Sequence, residues 1–359
     1  MPKKKKILCI ADAPGPAESL APVIPLLVVN ADVHVVAVDT AMHILKSYGA
    51  LECGDEAKVE QLFKDIRPDV MVSAMSSLTH GPYVNGAFIK LAHQHNIPVI
   101  SLQDYWGNHR WSHNKEIIPM LAAVCVPDDF AASLWKEDGY VGEIFVTGNP
   151  AFDRFADMDA GHERERLRKQ LHLDPKDHVI LFTGQGTPKH VKADKRTFAC
   201  VTEAIRLFAK DTSIKLIIRH HPRATEINYY QEYAHGIDIV DTSFAKFSDE
   251  ILPAADIIVS MFSTNLIHAC YLRIPGVSVL LPEWGKATLG QVGLNDFPPN
   301  LMGATVGVYN DDPLELQNIF RKIFSDKSFR ASMREAQEKN FPLDAKAAQR
   351  VAAIIKKFI

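Results

Sequence analysis

The chain of 359 residues is 47% hydrophobic, 9% aromatic and 23% charged, an ordinary globular composition that excludes disorder and collagen-like repetition. Its 40 Lys and Arg against 43 Asp and Glu leave a formal charge of -3, so no general basic field draws nucleic acid or an anionic membrane, and any anionic ligand needs a local site. At about 150 residues per domain, the length predicts two to three domains.

Short apolar runs alternate with helix-period segments from one end to the other. The runs are 7–11, 33–38, 70–74, 99–102, 122–126, 144–146, 179–183, 216–218, 237–240, 257–260, 277–281 and 306–309. Continuous Val/Ile/Leu runs without polar alternation are what strands buried on both faces require, and such strands belong to parallel sheets covered by helices. The class is α/β. Six runs precede and six follow the charged stretch Gly161 to Lys176, which reads as a surface helix between domains. The expected architecture is two Rossmann-like domains with parallel sheets facing across a cleft: 1–158, a linker helix over 159–176, 177–342, and a last helix over 343–359 free to cross back to the first domain. In that helix Ala348, Val351, Ile355 and Phe358 recur at spacings of three and four, which demands a partner surface.

Five cysteines, Cys9, Cys53, Cys125, Cys200 and Cys270, are odd in number and scattered through apolar runs. They read as reduced core thiols rather than a disulfide framework or a zinc site. The apolar stretch after MPKKKK is too short for a signal-peptide core, and no run approaches the roughly 20 residues that span a bilayer. The expectation is a soluble, cytoplasmic protein.

Ligands of open parallel sheets bind beyond the carboxyl ends of the strands, so the loops there are informative. After the first run, Asp12-Ala-Pro-Gly-Pro-Ala-Glu18-Ser19 would present Asp12 and Glu18 near a helix start, where a carboxylate can deprotonate a hydroxyl or simply cap the helix. After 179–183, Gly184, Gln185, Gly186, Thr187, Lys189 and His190 offer glycines for close backbone approach to a phosphate, together with further donors, although a tight strand-to-helix turn explains the glycines equally well. The spacing is not that of a Walker loop. Arg219-His220-His221-Pro222-Arg223 concentrates donors at a strand end, with planar forks suited to phosphate. Ser263, Thr264 and Asn265 open a helix after 257–260, as anion ligands or as caps. Asp104, Trp106 and His109 follow 99–102 as candidates to line the cleft, or as an aromatic cluster supporting a loop. His109 and His113 have i,i+4 spacing but no HExxH accompanies them, and no metal site is expected.

These segments, in this order, resemble the GT-B superfamily. Pro16 to Ile24 (PAESLAPVI) is similar to the opening RPEAIKMAPVI of UDP-N-acetylglucosamine 2-epimerases. Thr147 to Asp153 (TGNPAFD) resembles the TGNP or TGNT segment that closes their first domain. His221-Pro222 matches the His-Pro element of epimerases, bacterial sialyltransferases and the CDP-glycerol glycerophosphotransferases of teichoic acid synthesis. Ala255 to Thr264 (ADIIVSMFST) is similar to a segment of the last two groups. The epimerase Ser-Gly-Gly helix start with paired glutamates and the HRxEN run are absent here, which argues against proton movement at a sugar C2.

The resemblance implies an inverting, metal-independent glycosyltransferase of GT-B type. It would act in surface-polysaccharide or glycoprotein biosynthesis, with a nucleotide sugar as substrate, no cofactor, and a glycan, lipid-linked or protein acceptor. In it His221 would donate to the leaving phosphate, Ser263 and Thr264 would bind it, Glu18 or Asp12 would be the base, and Asp104, Trp106 and His109 would line the acceptor side. The alternatives are a nucleotide-sugar epimerase or hydrolase, and a non-catalytic nucleotide-binding module.

Overall fold

The computed structural model describes residues 4–76, 83–185, 190–209, 213–221, 224, 226–242 and 249–359. It is α/β, with thirteen strands among these residues: β1 Lys6–Ala11, β2 Asp32–Ala37, β3 Leu51–Glu52, β4 Val70–Met75, β5 Val99–Gln103, β6 Ala123–Val126, β7 Glu143–Val146, β8 His178–Thr183, β9 Ile214–Arg219, β10 Asp238–Ile239, β11 Ile257–Ser260, β12 Gly276–Val279 and β13 Val306–Val308. The twelve apolar runs all contain a strand. The thirteenth strand, β3, has two exposed residues and no apolar run to announce it.

The chain divides into two compact units, 1–157 with 344–359, and 158–343. The first holds a seven-stranded sheet of order β3-β2-β1-β4-β5-β6-β7, the second a six-stranded sheet of order β10-β9-β8-β11-β12-β13. Every pairing is parallel. In each sheet the direction of winding reverses beside the first strand, between β1 and β4 and between β8 and β11. That reversal is where doubly wound sheets open a crevice for ligands.

The last helix, Ala347–Ile355, belongs to the first unit. Its Ala348, Val351, Ala352 and Ile355 join the core formed by Ile7, Cys9, Val35, Val72 and Ile100, each large aliphatic side chain contributing about 1.5–3 kcal/mol through burial. The TGNPAFD segment holds the start of this helix. Asp153 accepts hydrogen bonds from Ala347 N at 3.1 Å and Ala348 N at 2.8 Å, Gly148 at φ 81° lies against Ala347, and Arg350 Nε donates to Thr147 O at 2.8 Å. Asp153 thereby acts as a cap supplied from 194 residues away, satisfying orphan N–H groups and facing the positive helix end. Asp153→Ala is expected to destabilise the first unit by about 1 kcal/mol, seen as a lower midpoint in urea titration.

The helix expected to link the domains, Ala160–Gln170, is part of the second unit. Asp256 gathers it in: Arg164 Nη2 bonds Asp256 Oδ1 at 2.5 Å, Arg168 Nη1 reaches Oδ2 at 3.5 Å, and Val179 N donates to Oδ2 at 2.7 Å. Charge density that reads as a solvated connector is here spent on one internal carboxylate and on the carbonyls of Ala255 and Asp177. The five cysteines are free and buried, and burial pushes the Cys9, Cys125 and Cys200 thiols up to about 12, far from thiolate chemistry. No helix among the described residues is long and apolar enough to cross a membrane.

Candidate functional site

In the first unit the winding reversal is lined by carboxylates. Asp12 follows β1 and is 4% exposed. Burial pushes its carboxyl up to about 6, against an opposing hydrogen bond from Ser76 beyond β4. Its Oδ1 has no hydrogen-bond partner among the described residues. A buried carboxylate oxygen without a donor favours holding a proton, or taking one from a ligand.

Asp104 follows β5. Burial pushes it up to about 7, its own backbone N–H and Asn108 pull it down, and the charges of Asp12 and Glu18 raise it again. Asn108 Nδ2 donates to Asp104 Oδ1. A Cβ on Gly15 would overlap Asp104 Oδ2, so a larger residue there would push this carboxylate aside. Behind them Ser19 Oγ donates to Asn149 Oδ1 at 2.9 Å, and Asn149 Nδ2 donates to Asp104 O at 3.2 Å. Asn114 Nδ2 holds Ser76 O at 2.9 Å and Asn108 O at 2.7 Å. Asn108, Asn114 and Asn149 are neutral and tie loops together, so the carboxylates meet no compensating cation in this network.

Glu18 is exposed on the helix Pro14–Leu20. Trp106 and His109 do not line a ligand surface. Trp106 is 3% exposed and donates from Nε1 to Asp128 Oδ2 at 2.8 Å, while His109 is 0% exposed, stacks on Trp135 at 4.1 Å, and bonds Asp138 Oδ2 at 2.8 Å. Burial lowers the His109 pKa. His109 and His113 also fail to share a helical face, because Trp111 between them is extended at φ -60°, ψ 139°. Among the described residues no group of His, Cys, Asp and Glu is arranged to hold a metal.

In the second unit β9, β8 and β11 are neighbours, so the loops after them adjoin. Gly184 N donates to Arg219 O at 2.9 Å, Ser260 Oγ to Thr183 O at 2.7 Å, and Phe262 N to Gln185 Oε1 at 3.3 Å. Arg219 ends β9 at 9% exposure, with His220 and His221 directly after it. Ser263 is the N-cap of the helix Thr264–Tyr271, its Oγ accepting from Asn265 N at 3.2 Å. Asn265 is 1% exposed and its Nδ2 is without a partner among the described residues; the same holds for Thr183 Oγ1. A helix start, a guanidinium and unspent donors at adjacent strand ends are the kind of groups that hold anions.

One expectation changes. Gly184 and Gln185 do not turn their N–H groups to a phosphate: the first is taken by Arg219 O, the second by Asp194 Oδ1 at 2.6 Å. A Cβ at Gly184 would collide with the Tyr230 hydroxyl, so packing requires this glycine. Gly186, Thr187, Lys189 and Pro222 lie outside the described residues. Asp194, Tyr229 and Tyr230 had no signal in the sequence beyond ordinary helix positions.

Residues 103–356 match the model of the CDP-glycerol:poly(glycerophosphate) glycerophosphotransferase family. The chain belongs to this family. No curated protein matches it. Among solved structures, the Staphylococcus aureus MnaA–UDP co-structure is similar with a TM-score of 0.71 at 16% identity, over 99% of this chain and 96% of that one. The UDP-GlcNAc 2-epimerase of Neisseria meningitidis bound to UDP-GlcNAc has a TM-score of 0.69 at 14% identity, over 98% and 100%. MurG of Acinetobacter baumannii has 0.63 at 16%, over 98% and 99%. The likeness is one of fold and bears out the GT-B-like reading; the glycerophosphotransferase match bears out the resemblance drawn from His221-Pro222 and Ala255 to Thr264.

Proposed function

We propose that this member of the glycerophosphotransferase family is a transferase that moves a nucleotide-activated group to an acceptor hydroxyl in surface-glycan or glycoprotein assembly, as an inverting, metal-independent glycosyltransferase. The observation that carries it is the set of donors at the ends of β9, β8 and β11: Arg219 with His221, and Ser263 to Asn265 at a helix start. In this reading the nucleotide diphosphate lies on the second unit, where the helix end and Arg219 stabilise the charge that develops as it departs. The first unit supplies the base. The acceptor oxygen attacks the anomeric carbon, the bond from that carbon to the phosphate oxygen breaks, and the acceptor proton passes to Asp12. Asp12 is preferred to Glu18 because it is buried at the reversal beside β4, whereas Glu18 faces solvent.

The family match favours a second reading with the same residues. With CDP-glycerol, the acceptor oxygen would attack the β-phosphorus, the phosphoanhydride would break, and CMP would leave. Incubation with UDP-, GDP- and CMP-sugars and with CDP-glycerol, with and without hydroxyl acceptors, tests both. Acceptor-dependent nucleoside diphosphate release from a UDP- or GDP-sugar supports the first, and acceptor-dependent CMP release from CDP-glycerol the second. Conversion of donor without acceptor would mark an epimerase or hydrolase instead. Binding of nucleotide without turnover of any donor would mark a binding module.

Arg219→Ala and Ser263→Ala are each expected to weaken nucleotide binding about tenfold, the effect of one charge-assisted hydrogen bond, measured by calorimetric titration.

A further inference from the structure

A fully buried carboxylate of the second unit lies against the turn after β8. Asp194 is 0% exposed on the helix Val191–Phe208. Its Oδ1 accepts from Gln185 N at 2.6 Å, and its Oδ2 accepts from the hydroxyls of both Tyr229 and Tyr230. No cation takes part among these contacts; three neutral donors satisfy the charge. Burying a carboxylate in this way is costly, and apolar packing would stabilise a helix-to-sheet contact more cheaply. What the carboxylate adds is direction. It fixes the turn after β8 from below, and that turn carries Gln185, whose side-chain oxygen accepts from Phe262 N one residue before the Ser263 cap. Tyr230 completes the arrangement: its ring meets His220 at 4.8 Å and its hydroxyl occupies the space a side chain at Gly184 would need.

We propose that Asp194, braced by Tyr229 and Tyr230, is a positioning residue for nucleotide binding, setting Gln185 so that the loops after β8, β9 and β11 present their donors to one ligand. This rests on the proposed nucleotide reading of the second unit. Asp194 touches no ligand in this account. It acts through Gln185 on the Phe262–Ser263 turn, and Tyr230 acts on Gly184 and His220.

The test uses the full-length protein and whichever of UDP, GDP, CDP or CMP raises the melting temperature of the wild type. Asp194→Asn is expected to raise the nucleotide dissociation constant and the donor KM about tenfold, with kcat at saturating donor within about twofold. Gly184→Ala should do at least as much, because the added methyl displaces the Tyr230 hydroxyl. Tyr230→Phe removes one of the two hydroxyls that brace Asp194 and leaves the other, so it should raise the dissociation constant less than Asp194→Asn does. Melting temperature is recorded for each variant. Lower melting temperatures with unchanged dissociation constants would overturn the proposal while leaving the function intact. If none of the four nucleotides binds the wild type, the nucleotide reading itself fails and takes the proposal with it.

Discussion

Asp12→Asn is expected to lower turnover by about 10²–10⁴-fold, the usual contribution of a general base, with nucleotide affinity unchanged because Asp12 lies in the first unit and the nucleotide donors in the second. Glu18→Gln, by contrast, should stay within a few-fold of wild type. The wild-type pH dependence follows from the same burial. Asp12 sits at about 6 and Asp104 at about 7, and the charge of one raises the other, so the two titrate as a coupled pair with apparent values that belong to both. A base works deprotonated. The rate should therefore climb as pH rises from about 5 to about 8, and Asp104→Asn, which removes one charge beside Asp12, should move the rising limb to lower pH. A profile flat across that range, or full activity in Asp12→Asn, would remove Asp12 from the reaction.

The second large effect is on stability. Asp104 is raised from an ordinary 3.8 to about 7 in the folded protein, so between those values the folded state binds more protons than the unfolded state. Stability contributed by the protonated carboxyl is fully present below about 4 and is lost as pH rises towards 7. At pH 8 the folded protein carries this carboxylate at a cost set by its burial and increased by the charge of Asp12. Asp104→Asn abolishes that cost while keeping the shape of the side chain, although one oxygen becomes an N–H₂ donor beside Asn108. The variant is expected to unfold at higher temperature than wild type at pH 8 and at the same temperature near pH 4. Equal melting temperatures at both pH values would show that Asp104 is ionised without penalty.

The legible part of this molecule is the part set by burial on two faces. Runs such as Val70 to Ala74 and Ile257 to Ser260 announce parallel strands because a strand sandwiched between helices tolerates no polar alternation. β3 is invisible because Leu51 and Glu52 are both exposed. The helix Ala160–Gln170 misleads for a related reason: Arg164 and Arg168 look solvated in sequence, yet they converge on Asp256, a partner some 90 residues away. At the sites, strand ends can be read locally, and Asp12, Asp104, Arg219 and Ser263 all stand there. What they do depends on tertiary neighbours. Gly15 against Asp104 cannot be inferred from a PGP turn, and the coupling of Asp104 to Asp12 needs β4 and β5 set beside β1. Gly184 shows the converse. A glycine after a strand suggests a phosphate loop, but its N–H is bonded to Arg219 O and its missing side chain makes room for Tyr230. Trp106 and His109 fall in a strand-end loop, yet their rings turn inward to Asp128 and Trp135.

The central claim is transfer from a nucleotide-activated donor to a hydroxyl, and it is tested most directly by resolving the nucleotide and carbohydrate products of purified protein with each donor in the presence and absence of acceptor. The account predicts nucleotide release only when acceptor is present, in equal amount with a new acceptor-linked product, and slowed about 10²–10⁴-fold in Asp12→Asn. Donor converted at the same rate without acceptor, or no donor consumed under any combination, would contradict it.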